Sequence, residues 1–122
     1  MSKVLVVDDE KSVVDIVKKF LSRDDYQFIE AFDGQEAVLK AKAERPSLIV
    51  LDMMLPELDG YEVIERLKED KHTQDIPILI LSAASVDKER IERVDGTLQI
   101  PIMSKPIQPE ELLSHVQEMV SY

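Results

Sequence analysis

Apolar residues fall along this chain in two rhythms. Three short unbroken runs, VLVV at 4–7, LIVL at 48–51 and ILIL at 78–81, are rich in branched side chains and end in polar residues, as strands buried on both faces do. Between them apolar positions recur at helical spacing. Val13, Val14, Ile16, Val17, Phe20 and Leu21 form one stripe; Ala37, Val38 and Ala41 a second; Val63, Ile64 and Leu67 a third; Leu112, Leu113, Val116 and Met119 a last. Each has polar residues on its other side. YQFIEA at 26–31 alternates and suits an edge strand. IPIMS at 100–104 is a short strand whose Pro101 also argues for an edge, and a modest helix is expected over 86–94. Strand and helix therefore alternate five times. This predicts an α/β fold: a doubly wound, five-stranded parallel sheet with right-handed crossovers, flanked on both faces by five helices.

Composition supports one compact unit. The chain has 122 residues, 44% of them hydrophobic and 33% charged, with only three glycines, so a single domain over 1–122 is expected. The absence of cysteine excludes disulfides, thiolate catalysis and thiolate metal sites. The apolar run near the N-terminus is too short for a signal-peptide core or a membrane span, and a cytoplasmic protein is expected. With 25 acidic against 15 basic residues, the formal net charge is −10. That field repels nucleic acid and anionic membranes and attracts divalent cations and basic surfaces.

In doubly wound sheets, sites form beyond the carboxyl ends of the strands. Here those ends carry Asp8 and Asp9 after the first strand, Asp52 after the third, Ser82 at the end of the fourth and Lys105 after the fifth. Each has a plain structural reading as a helix cap, a turn residue or a solvated lysine. Their joint placement on one rim is harder to obtain from independent caps. Three carboxylates about 5 Å apart repel by roughly 3 kcal/mol per pair at an effective dielectric of about 20. The sum, about 10 kcal/mol, rivals the whole stability of a domain, about 5 to 15 kcal/mol. One lysine is insufficient compensation. Hard oxygen donors without His or Cys favour Mg²⁺, or Mn²⁺ in its place. Cation, ammonium and hydroxyl together suit a phosphoryl group, with Asp52 as the available nucleophile.

VLVVDDE, LIVLDMMLPELDG, ILILSA and the SKP of 104–106 together resemble the receiver domain of two-component response regulators over residues 3–120. The resemblance implies a flavodoxin-like sheet of strand order 2-1-3-4-5. It implies Asp52 as phosphoacceptor, a metal held by Asp9 directly, by Asp8 partly through water, by Asp52 and by the backbone carbonyl of Met54, and Ser82 and Lys105 as partners of the phosphoryl group. Backbone N–H groups of Met54 and Ala83 would be further donors, and the peptide bond before Pro106 is a cis candidate. Such a domain takes phosphate from a histidine kinase or phosphotransfer protein and catalyses only its own phosphorylation and dephosphorylation. It then binds an effector through the face of the fourth helix, fifth strand and fifth helix. A monomer or weak dimer that binds neither DNA nor membrane is expected.

Two departures from the family pattern bear on output. Ile102 stands where an aromatic residue is usual, so no ring can swing inward. Gly96 lies nine residues before Lys105, implying an insertion in the 95–100 stretch. Met54 and Ala84 have no group to orient an attacking water, so a persistent phosphoryl-aspartate is expected. A Mg²⁺-dependent phosphatase would need a second Asp where Met54 stands, and a flavodoxin would not place DDE against an FMN phosphate. A receiver-like module that is never phosphorylated would have no use for the intact set of acid, hydroxyl and lysine. Asp59 and Asp33 are read as a cap and a turn, Met53, Met54 and Leu55 as loop packing, and His72 and His115 as without a role.

Overall fold

The unbroken apolar runs became the middle of the sheet. In the computed structural model, which describes residues 2–22, 24–83, 85–95 and 100–120, the strands are β1 (Ser2–Val7), β2 (Tyr26–Ala31), β3 (Leu48–Asp52), β4 (Ile78–Ser82) and β5 (Ile102–Ser104). The helices are α1 (Lys11–Phe20), α2 (Gly34–Glu44), α3 (Gly60–Glu69), α4 (Lys88–Asp95) and α5 (Pro109–Val120). All strand pairs are parallel, in the order β2-β1-β3-β4-β5. The two strands expected at the edges, β2 and β5, lie there, where one side of the ladder meets solvent.

Alternation along the central strands feeds two cores. Leu5, Val7, Ile49, Leu51, Ile78 and Ile80 pack with residues of α2, α3 and α4. Val4, Val6, Leu48, Val50, Leu79 and Leu81 pack on the other face with α1 and α5. Each fully buried side chain of this size contributes about 1.5–3 kcal/mol. Apolar residues on both faces of these strands therefore fix the layered architecture and leave strand ends as the place for polar groups.

Local chemistry sets the helix starts. Asp33 and Asp59 accept hydrogen bonds from the N–H groups of Glu36 (2.7 Å) and Glu62 (3.0 Å), which makes both side-chain N-caps. Asp33-Gly34 is thus a cap and first helical residue rather than a free turn. The fourth helix begins at Lys88 instead of 86 because Asp87 caps it, accepting from the N–H of Arg90 at 3.1 Å. The fifth strand is shorter than expected, starting at Ile102, although the carbonyl of Pro101 still accepts from Ile80 N at 3.0 Å. Ile16 sits at the margin of the arc defined by Val14, Val17 and Leu21 and is 42% exposed. Of the three loop residues after Asp52, Met53 and Leu55 are buried, whereas Met54 is 66% exposed and packs little. Gly96 and much of the inferred insertion, like Ala84, fall outside the described residues.

Gly60 lets α3 start directly on the loop that leaves β3. Its N–H donates to the carbonyl of Met53 at 3.1 Å, and a Cβ there would lie 2.6 Å from Met53 Cα. That neighbour is backbone and cannot swing aside. Gly60→Ala is therefore expected to destabilise the protein by about 1–3 kcal/mol, the usual penalty of overpacking, in urea unfolding. A change below about 0.5 kcal/mol, the level of an indifferent surface substitution, would contradict this packing.

Candidate functional site

Strand register assembles the rim. Val7 pairs with Leu51 and Ser82 with Ser104, so the residues that follow, Asp8, Asp52 and Lys105, emerge side by side. Lys105 is held at its backbone by donation to the carbonyl of Ser82 at 2.9 Å. The Lys105–Pro106 peptide is cis.

The Lys105 ammonium is the centre of the arrangement. Nζ lies 2.8 Å from Asp8 Oδ2 and 3.7 Å from Asp52 Oδ1. Asp8 and Asp52 are buried, at 1% and 3% exposure, and Ser82 is buried beside them. The second oxygen of Asp8, Oδ1, accepts from the N–H of Glu10 at 3.0 Å. Asp52 Oδ1 accepts from the N–H of Met54 at 3.2 Å. Two buried anions thus share one cation, with backbone donors supplementing it.

No side chain of Asp8, Asp9 or Glu10 caps the first turn of α1. The N-cap of α1 is Glu10, whose side chain makes no capping bond, and the first turn holds no acid. Two other aspartates, Asp33 and Asp59, show what capping looks like in this chain. Instead, Asp8, Asp9 and Glu10 each offer a carboxylate oxygen, all within 4.8 Å of one another. Asp9 and Glu10 are exposed. This all-oxygen donor set, open to solvent and negative in sum, fits a hard divalent ion such as Mg²⁺. Glu10 is a member that the expected ligand set left out; its place in the DDE triple was the available signal.

Electrostatics differ across the pair. Burial pushes the Asp52 carboxyl above the usual range; the N–H of Met54 opposes this, Asp8 adds to it, Lys105 opposes it and Asp9 adds again. Burial acts to lower the Lys105 ammonium, but the hydrogen bond to Asp8 and the charges of Asp52, Asp8 and Glu10 prevail and raise it. Lys105 is therefore cationic, and burial disfavours the charge on Asp52. His72 lies away from the rim, its Nδ1 3.1 Å from the Arg45 guanidinium, and His115 belongs to α5.

A doubly wound sheet with acids and a lysine at its carboxyl rim defines a class, and the comparisons supply the family. The response regulator receiver domain model matches residues 4–117, and the chain belongs to that family, which acts in two-component signalling. It is 41% identical over 118 residues to the alkaline phosphatase synthesis transcriptional regulatory protein PhoP of Bacillus subtilis, covering 97% of this chain and 48% of that protein. Identity to the DNA-binding dual master transcriptional regulator RpaA of Synechocystis is 34% over 120 residues, covering 98% of this chain and 49% of that protein. The chain spans about half the length of these relatives. The solved structure of chemotaxis protein CheY4 of Vibrio cholerae matches with a TM-score of 0.85 at 31% identity, covering 98% of each chain. No helix among the described residues is long and apolar enough to cross a membrane.

Two substitutions at this rim are expected to have opposite signs. Lys105→Ala leaves Asp8 buried without its cation and costs about 3–5 kcal/mol at neutral pH, as broken buried pairs do. Asp52→Asn removes a repulsion of roughly 3 kcal/mol that Lys105 only partly offsets, a gain of about 1–2 kcal/mol. Because the folded-state pKa of Asp52 is raised, the folded protein holds its proton more tightly than the unfolded chain. The contribution of Asp52 to wild-type stability therefore falls as pH rises through that range, and the advantage of Asp52→Asn fades as pH is lowered below it. Urea unfolding of both variants across the acid-to-neutral range checks the signs; equal signs at neutral pH would contradict the shared-cation arrangement.

Proposed function

We propose that Asp52 accepts a phosphoryl group from a histidine kinase, a phosphotransfer protein or a small acyl phosphate. The observation that carries this reading is the Lys105 ammonium standing between Asp8 and Asp52 at 2.8 and 3.7 Å. A carboxylate oxygen of Asp52 attacks phosphorus as the bond to the donor's nitrogen or oxygen breaks, and the leaving group departs with that electron pair. Lys105 is near enough to Asp52 to exchange its partner on Asp8 for an oxygen of the incoming group. The Ser82 hydroxyl and the backbone N–H groups of Met54 and Ala83 are the further donors. Asp8, Asp9, Asp52 and the Met54 carbonyl would hold the divalent ion, with Glu10 beside them. When bound, Mg²⁺ or Mn²⁺ supplies neutralisation of the charge that gathers on the transferring group.

The chain thus promotes only its own phosphorylation and dephosphorylation. The added charge biases the face of α4, β5 and α5 toward an effector protein. In PhoP and RpaA the matched region is about half of a transcriptional regulator, so residues 1–122 are read as one receiver unit. With a net charge of −10, this unit is suited to protein partners in the cytoplasm rather than to DNA.

Incubation with acetyl phosphate and Mg²⁺ is expected to add one phosphoryl group by intact mass. The adduct should be absent from Asp52→Asn and suppressed by EDTA. Equal adduct on Asp52→Asn would overturn the assignment. The exposed thioether of Met54 has no proton to orient water, so the adduct on wild type should decay over minutes or longer. A half-life of seconds would contradict that expectation.

A further inference from the structure

Two loops leave the rim, one after Asp52 and one after Ser82, and both end in aspartate caps, Asp59 for α3 and Asp87 for α4. Tyr61 and Arg90 join them. The hydroxyl oxygen of Tyr61 accepts from the N–H of Asp87 at 2.8 Å. The guanidinium carbon of Arg90 lies 4.3 Å from the centroid of the Tyr61 ring, and its Nη2 is 3.8 Å from Asp59 Oδ2. At the other end, the N–H of Gly60 donates to the carbonyl of Met53, the residue after Asp52, at 3.1 Å. These contacts make a continuous path from the acceptor loop to the first turn of α4.

We propose that Tyr61 and Arg90 are positioning residues that tie the first turn of α4 to the loop carrying Asp52 and convey a change of charge at Asp52 to that helix. For its signalling meaning this rests on Asp52 being the acceptor. Three features favour it over a merely stabilising contact. The link joins the loops behind two different site residues. It engages both caps, so the starts of α3 and α4 cannot move apart without breaking a hydrogen bond, a cation–π contact and an ion pair together. Finally, Ile102 on β5 lines a groove with Lys88 and Ile91 of α4, and its apolar side chain can make no hydrogen bond to that helix, so a directional connection has to come from elsewhere.

The test is a double-mutant cycle read by amide hydrogen exchange of α4, residues 88–95, using Asp52→Asn as the change of charge. Tyr61→Phe keeps the ring under Arg90 and removes only the oxygen that Asp87 uses. Asp52→Asn is expected to alter α4 exchange by about 3- to 10-fold in the wild-type background, the scale of one hydrogen bond. In the Tyr61→Phe background the same substitution should change it by less than about 2-fold. Arg90→Gln is a second, independent variant with the same expectation. Equal response in the wild-type and variant backgrounds, or no response in any, overturns the proposal, whereas stability alone would shift all α4 amides without changing the response to Asp52→Asn. The cycle needs no phosphoryl transfer. Failure of wild type to take an adduct from acetyl phosphate would count against the acceptor role and leave the cycle readable.

Discussion

A single ammonium shared by two buried carboxylates is the constraint on which this rim depends. Lys105 reaches Asp8 and Asp52 from the last strand, and both acids are almost entirely withdrawn from water. Charged groups in such surroundings are tolerable only when paired and hydrogen-bonded. One cation for two buried anions, with Asp9 and Glu10 crowding the mouth, satisfies the inner layer and leaves the outer layer in deficit. That deficit is what makes the site receptive to a divalent cation and to a group whose oxygens can take over Lys105. The fold makes the arrangement possible because parallel strands deliver all their ends to one side.

The same arithmetic places function at the expense of stability. Burial disfavours the charge on Asp52, and its pKa is raised for that reason. A chain under selection for stability alone would put an amide or an apolar residue there. Strength elsewhere compensates: both faces of the sheet are covered by continuous apolar layers, and α2, α3 and α4 start on side-chain caps where α1 does not. Unused capping at the DDE segment and efficient capping elsewhere are two sides of one allocation of charge.

Much of this was legible in the residues. VLVV, LIVL and ILIL announced buried central strands because period and length are local signals, and the rule that sites gather at strand carboxyl ends then brought Asp8, Asp52, Ser82 and Lys105 to one rim. What stayed hidden depends on distant partners. That Lys105 bonds Asp8 more closely than Asp52, across 97 positions, follows from backbone register and rotamer, which no spacing encodes. The union of Tyr61 with Arg90 and Asp87 likewise requires α3 and α4 to be neighbours. Ile16 and Met54 read as buried because hydrophobicity alone does not say where a stripe ends or which way a loop residue turns. The later start of α4 reflects a cap at Asp87 that the apolar pattern overran.

The most direct measurement is the nitrogen-15 NMR signal of the Lys105 side-chain ammonium, assigned by comparison with Lys105→Arg. A cation held between two buried carboxylates should give a resolved, slowly exchanging resonance apart from those of the surface lysines, and Asp8→Asn should collapse it toward them. A Lys105 signal indistinguishable from the exposed lysines, or unmoved by Asp8→Asn, would contradict the shared-cation account.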